Sequence, residues 1–241
     1  MDVYSRLKKE FAKLAEKYSL MADPIGVTAK ALTPDEVIGN PEEKDFPLVK
    51  GRERMMDAAF RGAHGQAFSD MYGDWKGDVK DLLEMNLTNN FRRAVFVASI
   101  NAVMRALGLV GQTVHCRDSD PRTCGKQCRD RFLAEFNPST ITMIGYQPRM
   151  FEQLRKKIMV YVVDLDEDNV GRVIDGTKIV GIDQTDKAVE KAEVLLVTGS
   201  ALVNNTIERF LHLDKPTVFY GVTIAGAAEL LGLERYCPMG V

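Results

Sequence analysis

The chain has 241 residues, 45% of them apolar and 27% charged, with a formal net charge of -2. Such a composition fits a globular protein of one large or two modest domains, and the near-neutral balance supplies no field for nucleic acid or an anionic membrane. No apolar run approaches the roughly 20 residues that cross a bilayer.

From Met1 to Tyr18 charges alternate with Leu7, Phe11 and Leu14, which predicts an amphipathic helix rather than a signal peptide. The expected compartment is the cytoplasm, where the four cysteines stay reduced. β-like runs follow near Ile25–Ala31 and Met55–Phe68, with glycine turns at Gly51, Gly62 and Gly65. Glu53 and Gln66 stand beside those turns, as cleft residues or as surface polar groups. Two helices are predicted next, a short one over Val79–Glu84 and a longer one over Asn89–Leu107. Asn101 sits inside the apolar pattern of the longer helix, so it must find partners, either ordering the core or lining a site. Strands followed by helices suggest a small α+β domain, taken as residues 1–110.

Residues 111–241 read differently. Strands are predicted at Thr140–Tyr146, Met159–Leu165, Glu193–Val197 and Thr217–Tyr220. Helical stretches come between and after them: Pro148 to about Lys157, the spacing of Leu202, Val203, Ile207, Phe210 and Leu211, and Ile224–Leu231. Alternation of this kind argues for a parallel, right-handed, Rossmann-like sheet, whose ligands bind beyond the carboxyl ends of the strands. Gly145, Asp164, Thr198, Gly199 and Gly221 fall at that edge.

Between the two patterns lies the densest cluster of soft donors. His115 and Cys116 end an apolar β-like run, and Asp120-Pro121 reads as a helix start, with Cys124 and Cys128 four residues apart behind it. Cysteine and histidine together suit a transition metal. Cys124 and Cys128 also continue through Phe132 and Phe136 as an apolar stripe, so Cys128 reads as core. Cys124 stands between ligand and core, because a helix N-terminus can lower a thiol pKa. Arg117, Arg122, Lys126 and Arg129 favour a thiolate at Cys116 or an anionic ligand nearby, or else form a solvated helix surface balanced by Asp118, Asp120 and Asp130. Thr198-Gly199-Ser200, with Asn204 and Thr206 following, can equally cradle an anion through backbone N–H groups or act as an ordinary turn. Gly145 lacks the three-glycine dinucleotide fingerprint, although Asp164 lies where a ribose-binding acid would be expected.

Several blocks together resemble the putative heavy-metal-chelation family, a domain of unknown function. They include Gly-Arg-Glu-Arg-Met at 51–55, Gly-Gln-Ala-Phe-Ser-Asp at 65–70, Asn-Ala-Val-Met-Arg at 101–105 and Thr-Val-His-Cys-Arg-Asp at 113–118. Ile-Gly-Tyr-Gln-Pro at 144–148, Val-Thr-Gly-Ser-Ala-Leu-Val-Asn-Asn-Thr at 197–206 and Tyr-Gly-Val-Thr-Ile-Ala-Gly-Ala-Ala at 220–228 complete the set. The resemblance implies an enolase N-terminal-like α+β domain joined to a Rossmann-like domain, with a site between them. Carried onto this chain, it implies Glu53, Asn101, His115, Cys116, Gly145, Asp164, Thr198, Gly199, Asn204 and Thr206 as candidates. The expected function is binding of a transition metal, or of a small metal-bearing or anionic metabolite, with His115, Cys116 and Cys124 as metal ligands. The alternative is a small-molecule enzyme, a transferase or lyase with a nucleotide-like ligand on the Rossmann edge. Whether a reaction is catalysed stays open, as does a homo-oligomer; neither nucleic acid nor membrane is an expected partner.

Overall fold

The computed structural model describes residues 2–22, 27–33, 36–37, 54–117 and 120–241. Helix α1 (Val3–Lys17) is capped by Asp2, whose carboxylate accepts from the Tyr4 and Ser5 N–H groups. It buries Val3, Leu7, Phe11 and Ala15, one residue per turn. Strands β1 (Val27–Leu32), β2 (Arg54–Phe60), β3 (Ala63–Ser69) and β4 (Trp75–Gly77) form an antiparallel sheet in the order β3-β2-β1-β4. Arg61 and Gly62 both take positive φ between β2 and β3, the backbone of a two-residue hairpin turn matched to strand twist.

Helix α2 (Val79–Glu84) opens with a reciprocal cap between Asp78 and Asp81. Helix α3 (Asn90–Ala106) buries every residue from Arg93 to Met104. A helix apolar on all sides must be covered on all sides. On one flank, a Cβ at Gly65 of β3 would lie 2.2 Å from Ala102 N. On another, a Cβ at Gly226 of helix α8 (Ala225–Leu231) would lie 2.8 Å from Ile100 Cγ2. Both elements therefore sit directly against α3.

Helix α4 (Asp120–Glu135) leads into the second sheet, built from β5 (Thr140–Ile144), β6 (Met159–Val163), β7 (Val173–Ile174), β8 (Thr177–Val180), β9 (Val194–Thr198), β10 (Thr217–Tyr220) and β11 (Arg235–Tyr236). Helices α5 (Pro148–Leu154), α6 (Thr185–Lys191) and α7 (Ser200–Val203) lie between them. The sheet order is β11-β10-β9-β5-β6-β8-β7, and all pairs are parallel except the β7–β8 hairpin. The expected Rossmann-like alternation is borne out. The topological switch lies at β5, flanked by β6 and β9, where a ligand crevice is expected.

Side chains alternate along the central strands, as a sheet covered on both faces requires. Ile141, Met143, Leu196 and Val218 join Cys124, Cys128, Phe132 and Phe151 on the α4–α5 face. Ile144, Leu195, Val197 and Phe219 join the cluster that contains Phe11, Phe96 and Ile100 on the other.

Some expectations need correction. The apolar run before Cys116 is not a strand but an irregular segment laid along the outer edge of β3, with Gln66 N donating to Thr113 O at 2.9 Å. The Leu202–Leu211 spacing is not one helix. Asn205 enters the left-handed region at φ 58°, so α7 stops at Val203 and a 3-10 turn, Ile207–Phe210, follows. The helix after Pro148 ends at Leu154, with Gln147 Oε1 accepting from Met150 N at 2.6 Å.

Candidate thiol and imidazole site

His115 is fixed by two hydrogen bonds of different kinds. Its backbone N–H donates to Gln66 Oε1 at 2.8 Å, and its Nδ1 lies 2.6 Å from Cys116 O. A carbonyl only accepts, so Nδ1 carries the proton and the neutral ring leaves Nε2 as a lone-pair donor. Burial holds the imidazole below its usual pKa, against the pull of the Cys116 carbonyl, which favours that neutral form. The Phe68 ring meets His115 edge-on, with centroids 5.6 Å apart.

Cys116 is half-buried, and its thiol is pushed up to about 12 by burial and by the nearby Cys124, Cys237 and Asp120 groups. The expected thiolate is thus corrected. Arg117, a basic neighbour expected to stabilise it, instead donates to Glu36 O at 2.5 Å, and Arg129 pairs with Asp130. Cys124 is buried, and burial with the neighbouring Cys237 and Cys128 also raises it to about 12. Desolvation therefore outweighs the helix dipole, whose effect is confined to the first turn. Cys128 is fully buried in the α4–α5 cluster, as the stripe implied.

Cys237, absent from the sequence-derived candidates, joins this group. It follows β11, and Tyr236 beside it donates to Cys124 O at 2.7 Å. Cys237 packs against the small apolar cluster of Leu32, Val37, Met55 and Val222, and Phe68, packed against the same cluster, meets the His115 ring. The Arg235 guanidinium lies beside the Cys237 sulfur, pulling against the burial that raises its pKa, and donates to Gly221 O at 3.1 Å. The only hint in the sequence was a fourth cysteine just beyond a glycine-ended helix.

The Rossmann edge is tightly closed. Gly145 takes φ 85°, and a Cβ there would lie 2.7 Å from Thr198 Cγ2. Its carbonyl accepts from Tyr220 Oη at 2.7 Å. Gly199 N donates to Tyr220 O at 2.8 Å, and Ser200 N donates to Thr198 Oγ1 at 3.3 Å, so those two N–H groups already have acceptors. Asp164 accepts from Tyr146 N, Asp166 N and Asn169 Nδ2 at 2.9, 3.0 and 3.2 Å. Burial raises its pKa despite those bonds. Its carboxylate is thus committed to shaping the loop after β6.

Asn101 is wholly buried and orders the core. Nδ2 donates to Gln66 O at 3.0 Å and to Val222 O and Thr223 O at 3.1 Å, while Oδ1 accepts from Gly226 N at 2.7 Å. Asn204 and Thr206 lie apart from the thiols. Asn204 Oδ1 faces Asn90 Nδ2 at 3.5 Å, and Thr206 N donates to Ala201 O. Glu53 lies outside the described residues. As the side chains stand, no three His, Cys, Asp or Glu groups among the described residues converge to hold a metal ion. No helix among the described residues is long and apolar enough to cross a membrane.

None of the curated proteins matches the chain. Residues 130–231 match the family described as DUF364, putative heavy-metal chelation. A solved DUF364 protein of unknown function from Pyrococcus horikoshii is similar at a TM-score of 0.55 and 16% identity, over 92% of this chain and 80% of that one. Another of unknown function, from Desulfitobacterium hafniense DCB-2, gives 0.49 at 13% identity over 92% and 84%. The family resemblance is borne out as a match to that family model over residues 130–231, in a fold shared with a solved DUF364 protein.

Proposed function

We propose that the chain binds a thiophilic transition-metal ion, or a small metabolite that carries one, at His115, Cys116 and Cys124. The observation that carries this reading is an imidazole whose tautomer leaves Nε2 as a donor, next in sequence to the half-buried Cys116 thiol and followed by Cys124 in the first half of α4. Soft thiol and imidazole donors suit zinc, copper and heavier thiophilic ions rather than calcium or magnesium. The family description, heavy-metal chelation, points the same way.

The side chains must draw together to ligate an ion, since no three of them converge beforehand among the described residues. The raised thiol pKa values make binding compete with protons, so affinity rises with pH. Metal analysis after equilibration with zinc or cadmium tests the reading. Wild type is expected to retain about one ion per chain and Cys116→Ala far less. Retention no greater than that of a cysteine-free variant refutes it.

A further inference from the structure

A cavity of about 250 Å³ opens between α4 and α5, lined by Arg122, Arg149, Glu152 and Gln153. One turn beyond Arg122 the two helices meet backbone to backbone. A Cβ at Gly125 would lie 2.3 Å from Arg149 O, so the approach depends on a residue without a side chain. Cys124, Cys128, Phe151 and Leu154 pack inward on the sheet, which leaves the long polar side chains of both helices on the outer side. Arg149, 15% exposed, donates from Nη1 to Glu152 Oε2 at 3.0 Å, one turn along α5. That bond orients its guanidinium before any ligand arrives. Gln153 Oε1 accepts from Lys156 Nζ at 3.0 Å and from Arg129 Nη1 at 3.3 Å. Asp130 pairs with Arg129, and Glu152 is the one carboxylate in the lining, so positive charge stays in excess around the cavity.

We propose that this cavity binds a small phosphomonoester, with the Arg122 and Arg149 guanidinium groups on its phosphate and the Glu152 carboxylate accepting from a hydroxyl of its carbon skeleton. The site goes beyond the metal-binding reading and does not depend on it. A guanidinium is a planar fork of donors that matches phosphate oxygens two at a time, and two such forks, one from each helix, line a single hollow. The volume falls below the roughly 300–1,000 Å³ that holds a drug-sized ligand, which restricts the ligand to a few carbons. Glu152 decides between ligands. Its charge opposes a bare phosphate dianion, whereas a polyol phosphate can keep its dianion on the arginines and turn a hydroxyl donor to the carboxylate.

The test is calorimetric titration of the full-length chain at neutral pH and low salt, with glycerol 3-phosphate, inorganic phosphate and glycerol as separate probes. Wild type is expected to bind about one glycerol 3-phosphate per chain, to bind inorganic phosphate about 3-fold more weakly or worse, and to give no heat with glycerol. Arg122→Gln and Arg149→Gln are each expected to weaken glycerol 3-phosphate at least about 10-fold. Arg122→Lys is expected to weaken it as well, since a point charge cannot replace the fork. Glu152→Gln is expected to bring the two phosphate probes to similar affinity. Arg92→Gln, an exposed arginine on α3, is expected to bind as wild type. No saturable binding by wild type overturns the proposal, as does an unchanged affinity in Arg122→Gln or an equal loss in Arg92→Gln. Equal affinity of wild type for the two phosphate probes overturns the role of Glu152. Arg122 is exposed, so its variants keep the test readable should Arg149→Gln fail to fold.

Discussion

Replacing Asn101 with alanine removes four hydrogen bonds from a place that water does not reach. Gly226 N–H belongs to the first turn of α8 and has no carbonyl within that helix to accept it. An unpaired buried donor of this kind costs about 1–3 kcal/mol. The Gln66 and Thr223 carbonyls also lose a donor, whereas Val222 O keeps a bond from Ala225 N at 3.0 Å. The sum for Asn101→Ala is about 3–5 kcal/mol, a large part of the roughly 5–15 kcal/mol that holds a domain. Asn101→Asp keeps the shape but turns a carboxylate toward three carbonyl oxygens. Its penalty is expected to be at least as large at neutral pH and to shrink under acid, where the protonated carboxyl can donate. Equilibrium urea unfolding, with unchanged slope as the check on two-state behaviour, measures both. A loss below about 1 kcal/mol for Asn101→Ala would show that the clamp between β3 and α8 is not held by this side chain.

Gly65→Ala places a methyl group 2.2 Å from Ala102 N and 2.5 Å from Ala98 O, both backbone. β3 must then lift from α3, with an expected loss of about 3 kcal/mol or more, read as a fall in Tm; an unchanged Tm refutes it. The buried thiols titrate above their ordinary value of 9.0, with Cys116 and Cys124 at about 12. Their raised folded-state pKa values give stability that is complete below about pH 9 and lost as pH rises toward about 12. A Tm series in alkali is therefore expected to fall more steeply for wild type than for the Cys116→Ser, Cys124→Ser double variant. His115 shifts the opposite way, below 6.5. Its contribution is complete above that value and is lost as pH falls through the folded-state pKa, so His115→Gln is expected to flatten the difference in Tm between about pH 5 and 7. Parallel curves for the two proteins would remove this role.

Patterns that repeat along the chain were legible. The residues of α2 and α3, the strands β5, β6, β9 and β10 of the parallel sheet and the opening of α5 at Pro148 follow from period and capping chemistry alone. The short edge elements were not, because pairing rather than propensity makes them strands. β11 has two residues and exists through its bonds to β10. The β7–β8 hairpin hid in a glycine-bearing stretch, although Asp175-Gly176, both at positive φ, is a turn signal that could have found it. At the site, His115, Cys116 and Cys124 were readable as candidates from their spacing in the sequence. The protonation of the two sulfurs was not, because desolvation depends on what closes over them. Cys237 was missed for the same reason, since only the folded chain brings residues 116 and 237 together.

The clamp at Asn101 also governs the geometry of the sulfur cluster. One arm ends on Gln66, whose side chain fixes the His115 backbone; another ends on Val222, a member of the small apolar cluster against which Cys237 packs. Both walls of the thiol group thus hang from one amide, like two pans from a single yoke. A tilt of α3 would carry the donors together and keep their mutual spacing.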